Sequence, residues 1–308
     1  MKKVSVLIAC FNAENYIEQC LNSLFVQSQR DYEIIIVDDG SSDSTVDIIL
    51  TLIEGRNNVI FVPRKINLGT IKTRNELLKI AKSRSEYIAW CDADDIYHKD
   101  KLKIQYEFLR DNPIYLGCGT WYRKFGTVNR KVLKFTNPKA NMFFTCFGSP
   151  VGFPTFMQKN DIDVYFDEKL ESGEDYAYVS ELAKIGPLTN IKRFLTHYRV
   201  HAKQESTLNN QRQKKVHDKV CSEICQYYLQ DKEYLHPFIN NPVIVDNPSL
   251  KIFVKYIKEL EVEKNNHPLV SLFDYRFLSY NKKNINFIAK YFIHRNIKLF
   301  RIINLYFR

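Results

Sequence analysis

Four short apolar runs rich in β-formers, Val4 to Cys10, Tyr32 to Val37, Val59 to Val62 and Tyr87 to Cys91, recur through the first third of the chain. The stretches between them change period. Residues 13–29 place Ile17, Leu21, Leu24 and Phe25 at i, i+4, i+7 and i+8, the stripe of a helix lying on a sheet, and 42–55 and 70–83 repeat the pattern. The runs are continuously apolar, as in strands buried on both faces. Strand, helix, strand in this order predicts right-handed βαβ units and therefore a mostly parallel sheet flanked by helices.

Beyond about residue 112 the alternation becomes irregular, and the aromatic, Gly- and Pro-rich stretch Phe143 to Pro154 reads as loops over a cleft. A further helix is predicted from Gly173 through Glu174, Asp175, Tyr178, Val179, Leu182 and Ala183, stopped by Gly186-Pro187. From 206 onward short helical patterns are separated by Pro237, Pro242, Pro248 and Pro268. Two parts are expected: an α/β part over 1–205 and a helical, basic extension over 206–308.

Composition narrows the class. With 308 residues, 45% of them apolar, and 45 Lys plus Arg against 35 Asp plus Glu, the chain is a globular protein of one or two domains, not a disordered or collagenous one. Seven cysteines without a CxxC pair point to reduced thiols, not to a disulfide framework or a zinc ribbon. There is no run of 18 uncharged apolar residues, so no spanning helix is expected. Met1-Lys2-Lys3 and the apolar run after it imitate a signal peptide, but that run is too short for one and reads better as a buried strand. A cytoplasmic protein is the expectation.

The net charge of +10 is uneven. Residues 211–308 hold 17 Lys/Arg and 9 Asp/Glu, hence +8 of the total, and Asn281 to Arg308 hold seven basic residues and no acid. At 100° per residue, Lys283, Lys290, His294, Lys298 and Arg301 gather on one side of 281–308, opposite Ile285, Ile288, Phe292, Leu299 and Ile303. Such a basic amphipathic helix either lies in an anionic headgroup layer, making the protein peripheral at the inner face of the cell membrane, or packs on its own domain. Nucleic acid is not an expected partner, because no recognition motif accompanies the charge and the charge lies away from the acidic strand ends.

In a parallel sheet, ligands bind beyond the carboxyl ends of the strands. Those ends carry Phe11-Asn12, then Asp38-Asp39-Gly40-Ser41, then Lys65 and Asn67, then Asp92-Ala93-Asp94-Asp95. Five carboxylates at two strand ends repel one another unless a cation sits among them. Oxygen ligands at alternate spacing suit a hard divalent ion, Mg²⁺ or Mn²⁺, bridging to phosphate. The plainer readings are turn and N-cap chemistry for Asp38 to Asp43 and a solvated acidic loop for Asp92 to Asp95. A phospho-receiver module places its acids after other strands and is far shorter. A nucleotidyltransferase would need a glycine-rich, lysine-bearing loop after the first strand, and none is present.

These motifs, in this order and spacing, resemble family 2 glycosyltransferases: Val4 to Asn12, Ile36-Val37-Asp38-Asp39-Gly40-Ser41, Asn67-Leu68-Gly69 with Arg74-Asn75, Asp92-Ala93-Asp94-Asp95, then Glu174-Asp175 and His197 to His201. The resemblance covers about residues 1 to 205. It implies a GT-A fold, a nucleotide-sugar donor that is usually UDP-linked, a divalent metal, and inversion at the anomeric carbon. It implies donor-binding roles for Phe11, which replaces a usual tyrosine and keeps the stacking face, for Asp38 and Asp39 at the uracil or ribose, and for Arg74, Asp92 and Arg199. Metal binding falls to Asp94 and His201. The base that takes the acceptor hydroxyl's proton is Asp175, with Glu174 orienting it or the acceptor. At a helix N-terminus such a carboxylate is expected to be a weak base. The acceptor implied is a glycan or lipid-linked glycan of bacterial surface polysaccharide synthesis. The alternatives to this function are a nucleic-acid-binding basic protein and a non-catalytic nucleotide-sugar binder.

Overall fold

The computed structural model describes residues 1–138, 141, 145, 148–201, 204, 216–217, 219–220, 223–224 and 227. The chain divides into two compact units, Met1–His217 and Asp218–Arg308. The basic segment 281–308 and nearly all of the expected helical extension lie outside the described residues. Among the described residues no helix is long and apolar enough to cross a membrane.

The predicted alternation is present at its predicted places. Strand β1 (Lys2–Cys10) pairs in parallel with β2 (Tyr32–Asp38) and with β4 (Ser85–Trp90), and β3 (Val59–Pro63) lies outside β2. The helices between them are α1 (Ile17–Phe25), α2 (Thr45–Ile53) and α3 (Thr70–Ala81). Side-chain alternation on the pleat divides the core in two. Val4, Val6 and Ile8 meet Ile17, Leu21 and Leu24 of α1 and Ile49 of α2 on one face, while Leu7, Ile35 and Val37 meet Leu77, Leu78 and Ala81 of α3 on the other. All of these are buried, each side chain contributing about 1.5–3 kcal/mol where it is a full Val, Leu or Ile.

The second half of the sheet is where the sequence expectation falls short. After β4 come β5 (Ile96–Tyr97) and α4 (Lys101–Asp111), and the region read as irregular contains β6 (Gly117–Gly126), β7 (Arg130–Val132) and β8 (Met157–Lys159), with a 3₁₀ turn at Phe153–Thr155. Helix α5 (Glu174–Ile185) starts and stops at the predicted glycines, and β9 (Leu188–Val200) follows it. The strand order is β3-β2-β1-β4-β8-β6-β9-β5, with β7 on β6. Strand β8 runs antiparallel between β4 and β6, so β6 and β9, parallel to one another, also run parallel to β4. Their carboxyl ends therefore lie on the same sheet edge as those of β1, β2 and β4. Gly117 shows why the pattern was hidden: a Cβ there would stand 2.8 Å from the Met157 carbonyl oxygen and 2.7 Å from the Phe156 ring, so packing selects glycine where propensity argues against a strand.

The turn after β2 depends on another glycine. Gly40 has φ +74°, and a Cβ there would stand 2.7 Å from the Ile66 carbonyl carbon and 2.9 Å from the Asn67 nitrogen. Gly55 has the same backbone conformation, φ +73°, with open space around it. Gly55→Ala is therefore expected to cost about 1 kcal/mol from backbone strain alone, and Gly40→Ala to cost about 2 kcal/mol or more because two backbone segments must also separate. Urea denaturation of the two variants checks the order, and equal midpoints would refute the close-approach argument.

Candidate active site

The ends of β1 and β2 are stitched together by polar side chains. Asn12, at φ +46°, donates its N–H to Ser41 Oγ at 2.8 Å and accepts the Ser42 N–H on Oδ1 at 2.9 Å. Asp38 accepts the Ser41 N–H at 2.9 Å and the Ser41 hydroxyl. Asp39 accepts the N–H groups of Leu68 at 2.9 Å and Gly69 at 2.8 Å, and the Arg64 guanidinium at 2.8 Å. Gly69 is the residue before α3, so Asp39 seats that helix against the sheet. Both carboxylates are buried and engaged by the chain itself, as turn and cap chemistry requires. Phe11, by contrast, is 49% exposed at the mouth of the same edge.

Arg74, projecting from α3, joins the two acidic motifs. Its Nη1 lies 2.6 Å from Glu174 Oε1 and its Nη2 lies 3.6 Å from Asp92 Oδ1, with only 11% of its side chain exposed. The guanidinium rests 4.5 Å from the Phe153 ring centre and 5.6 Å from that of Phe166. Those rings belong to an aromatic floor: Trp90 packs on Phe153 at 5.0 Å, and Phe166 stacks on Tyr178 of α5 at 4.1 Å. The cation is thus held by apolar faces below and carboxylates at its rim.

Two of the carboxylates near Arg74 are perturbed. Asp92 is pushed up to about 7, first by loss of hydration, then by Asp94, Asp175 and Glu174, with Arg74 opposing. Asp175 is also raised, by burial and by Glu174, against the pull of Arg74, the Tyr176 N–H and Lys134. The expectation of a weak base lowered by the helix N-terminus is therefore reversed: burial and a neighbouring carboxylate outweigh the terminus, and the shift brings Asp175 toward the range where a base works near neutral pH. Asp175 Oδ1 accepts the Tyr176 N–H at 2.7 Å. Glu174 is occupied by Arg74, so of the two acids Asp175 is the one not committed to an ion pair among the described residues.

Asp94 faces His201, Oδ2 to Nε2, at 3.0 Å. The His201 ring packs on Tyr16 at 4.6 Å, and its Nδ1 is buried without a hydrogen-bond partner among the described residues. In β9, His197 and Arg199 share one side, both against Phe125, and His201 follows directly after the strand's end. Arg199 locks the acidic loop: its N–H donates to Asp95 Oδ1 at 2.8 Å, its Nε to the Asp94 carbonyl at 2.9 Å, and its Nη2 to Gln19 of α1 at 2.6 Å. Among the described residues no group of three or more His, Cys, Asp or Glu side chains forms a metal cage. Asp94 Oδ2 and the His201 Nε2 facing it offer two ligand atoms, so an ion held there would take its other ligands from a diphosphate and water.

Some residues at this edge were not picked out from the sequence. Tyr16 stacks on His201 and lies 5.0 Å from the Arg199 guanidinium, and Lys134 faces Asp175 electrostatically with its own ammonium pushed down to about 8 by burial. Neither sits in a motif; only placement on the sheet edge reveals them. Beneath the acidic loop, Lys101 is fully buried over the Tyr97 ring at 3.8 Å and its ammonium is pushed down to about 7 by desolvation.

A parallel half sheet flanked by helices, a second half continuing it beyond β8, and an acidic pair at the end of the fourth strand define a GT-A type fold. The model of the glycosyl transferase family 2 matches residues 5–162. The chain belongs to this family and is a glycosyltransferase. It is 25% identical over 317 residues to an uncharacterized glycosyltransferase of Haemophilus influenzae, covering 96% of this chain and 92% of that one. It is 32% identical over 185 residues to a poly(ribitol-phosphate) beta-glucosyltransferase of Bacillus spizizenii, covering 57% of this chain and 28% of that longer protein. The crystal structure of S. aureus TarS 1–349 in complex with UDP-GlcNAc shares the fold at a TM-score of 0.58 and 19% identity, covering 96% of this chain and 90% of that one.

Removing Arg74 leaves two carboxylates facing each other without a cation, so Arg74→Ala is expected to lower stability by about 2–3 kcal/mol, below the range for a fully buried pair because a third of Asp92 reaches solvent. Adding Glu174→Gln should restore part of that loss, which a double-mutant cycle in urea measures; simple additivity would show that the two do not interact. Lys101 has a folded pKa below its unfolded value, so at this group the unfolded chain binds more protons between about pH 7 and 10 and its contribution to stability rises with pH across that window, opposed near the top of it by buried thiols such as Cys118 whose pKa is raised. Lys101→Met should flatten this rise in thermal melts, and an unchanged slope would assign it to another group.

Proposed function

We propose that the protein is a metal-dependent inverting transferase that moves a sugar from a nucleotide diphosphate, most simply UDP, to a hydroxyl of a glycan or lipid-linked glycan in surface polysaccharide synthesis. The observation that carries the reading is the Arg74 junction, which brings the acidic end of β4 to the N-terminus of α5, so that a donor site and a base share one edge. The names of the Bacillus and S. aureus proteins support the direction: one is a poly(ribitol-phosphate) beta-glucosyltransferase, the other is seen with UDP-GlcNAc.

In this reading Phe11 offers a face to the base, and Asp38 and Asp39 act on the nucleotide end by fixing the turns that border it. Arg74 and Asp92 meet the sugar-phosphate side. Asp94 and His201 would hold Mg²⁺ or Mn²⁺, which when bound offsets the charge that develops on the leaving diphosphate. Arg199 holds the Asp94 loop in place. Asp175 takes the acceptor proton as the hydroxyl oxygen attacks the anomeric carbon, and Glu174, paired to Arg74, positions the helix end that carries it. Association of 281–308 with an anionic membrane surface is part of the proposal and rests on the charge and periodicity of that segment alone.

The deciding experiment is a thermal-shift titration with UDP, GDP, CDP and their sugar conjugates, each with Mn²⁺ and with EDTA. A shift with one nucleotide that needs metal is expected, and Asp94→Ala should abolish it. Asp175→Asn should keep the shift and lose turnover by 10²-fold or more. Equal loss of binding in both variants would refute the division of roles, and no shift with any nucleotide would refute the donor reading.

A further inference from the structure

The strands β7, β6 and β9 carry cations that no carboxylate answers among the described residues. From Asn112 through Asn160, and again from Leu182 through Gln204, the sequence has no Asp or Glu, yet it holds Arg123, Lys124, Arg130, Lys131, Lys192 and Arg193. The register sets like charges directly opposite one another, Arg123 against Lys131 and Lys124 against Arg130. Such pairs weaken a ladder, and strand pairing normally avoids them. Arg123, Arg130 and Lys131 are exposed, and none of the three forms an ion pair among the described residues.

The cations are not merely solvated. The Arg123 guanidinium lies 5.1 Å from the Phe194 ring centre and the Lys131 ammonium 5.7 Å from the same ring, whose neighbour at 5.5 Å is Trp121. One step along β6, Phe125 lies 4.5 Å under the Arg199 guanidinium, the group that grips the Asp94 loop. Trp121 in turn donates its indole N–H at 2.9 Å to the carbonyl of Lys134, the residue whose ammonium faces Asp175. A surface of aromatic faces and uncompensated cations thus leads to the reaction edge from outside.

We propose that this ribbon is the acceptor track and that the acceptor is a polyanionic glycan or polyol chain bearing phosphate or carboxylate groups. Cations take the anionic groups, ring faces take the C–H surfaces of the sugar or polyol units, and continuity with Arg199 delivers the chain's hydroxyl to the edge where Asp175 sits. A lipid surface is the lesser match, because the charge follows strands toward the site. Calling the ligand an acceptor rests on the proposed transferase reading; the charge of the ligand does not.

The test is binding of the full chain to a synthetic poly(ribitol phosphate) oligomer, to neutral dextran and to phosphatidylglycerol vesicles. Wild type should bind the oligomer, more weakly as salt rises, and not the dextran. R123E/K131E should weaken oligomer binding at least tenfold, R123Q/K131Q less, both with unchanged far-UV circular dichroism and an unchanged UDP thermal shift. K99E/K103E, the same charge change on the exposed start of α4, should stay within twofold. The proposal is overturned by no oligomer binding in wild type, by unchanged affinity in R123E/K131E, by equal loss in K99E/K103E, or by a loss confined to vesicles. A chain that binds the oligomer through these residues but responds to no nucleotide sugar would instead sink the transferase reading and leave this surface standing.

Discussion

Four carboxylates crowd the edge where β4 ends and α5 begins, and one guanidinium keeps them there. Burial and the neighbouring carboxylates raise the pKa of Asp92 and of Asp175, and Arg74 is the cation that opposes this at both. It can do so because α3 is seated by Asp39 at its first turn and because Phe153 and Phe166 hold the guanidinium plane from below. The two acidic motifs are about eighty residues apart in sequence. Without a central cation the sheet could form, but the base and the acidic strand end would have an electrostatic reason to separate.

This dependence runs back to the turn after β2. Asp39 gives three hydrogen-bond acceptances to the Asn67–Gly69 segment and Arg64, and Gly40 permits that segment to approach within a distance no Cβ would allow. A motif that looks like a ligand-binding signature is at the same time the device that aims α3, hence Arg74, at the site. Under the proposed function, structural and functional readings of Asp38 and Asp39 therefore do not compete: a carboxylate that fixes a turn beside the donor would serve the donor through the turn.

The parallel half of the fold was legible because its strands are buried on both faces and its helices present one apolar stripe, so period and composition agree. Helix α5 was legible from its flanking glycines. Strands β6, β7 and β9 were not, for a physical reason: β6 begins with Gly117, demanded by Phe156 and Met157, and Gly119, demanded by Asn190, Val151 and Thr155, then carries the adjacent cations Arg123 and Lys124 on opposite faces, so neither alternation nor β-propensity marks it. The site residues named from motifs converge on one edge, since motifs at strand ends inherit the sheet's geometry. Tyr16 and Lys134 stand outside motifs and were invisible until the sheet placed them. The pKa of Asp175 was misjudged in sign, because the helix terminus is visible in sequence and the burial that overrides it is not.

The unexpected half of the sheet also explains an imbalance that composition could not. Counted along the chain, the N-terminal two-thirds is nearly neutral, and its charge reads as an ordinary mixed surface. Folding separates the signs: carboxylates collect at the ends of β2 and β4 and at the start of α5, while cations collect on β6, β7 and β9. Cations are what an anionic substrate needs along its approach, and a carboxylate is what deprotonation needs at its end. Keeping the two apart prevents them from neutralising each other, which a cleft of intermixed charges would do. Arg199 lies at the seam, its side chain on the cationic ribbon over Phe125 and its hydrogen bonds on the acidic loop, and so couples the two surfaces through one residue.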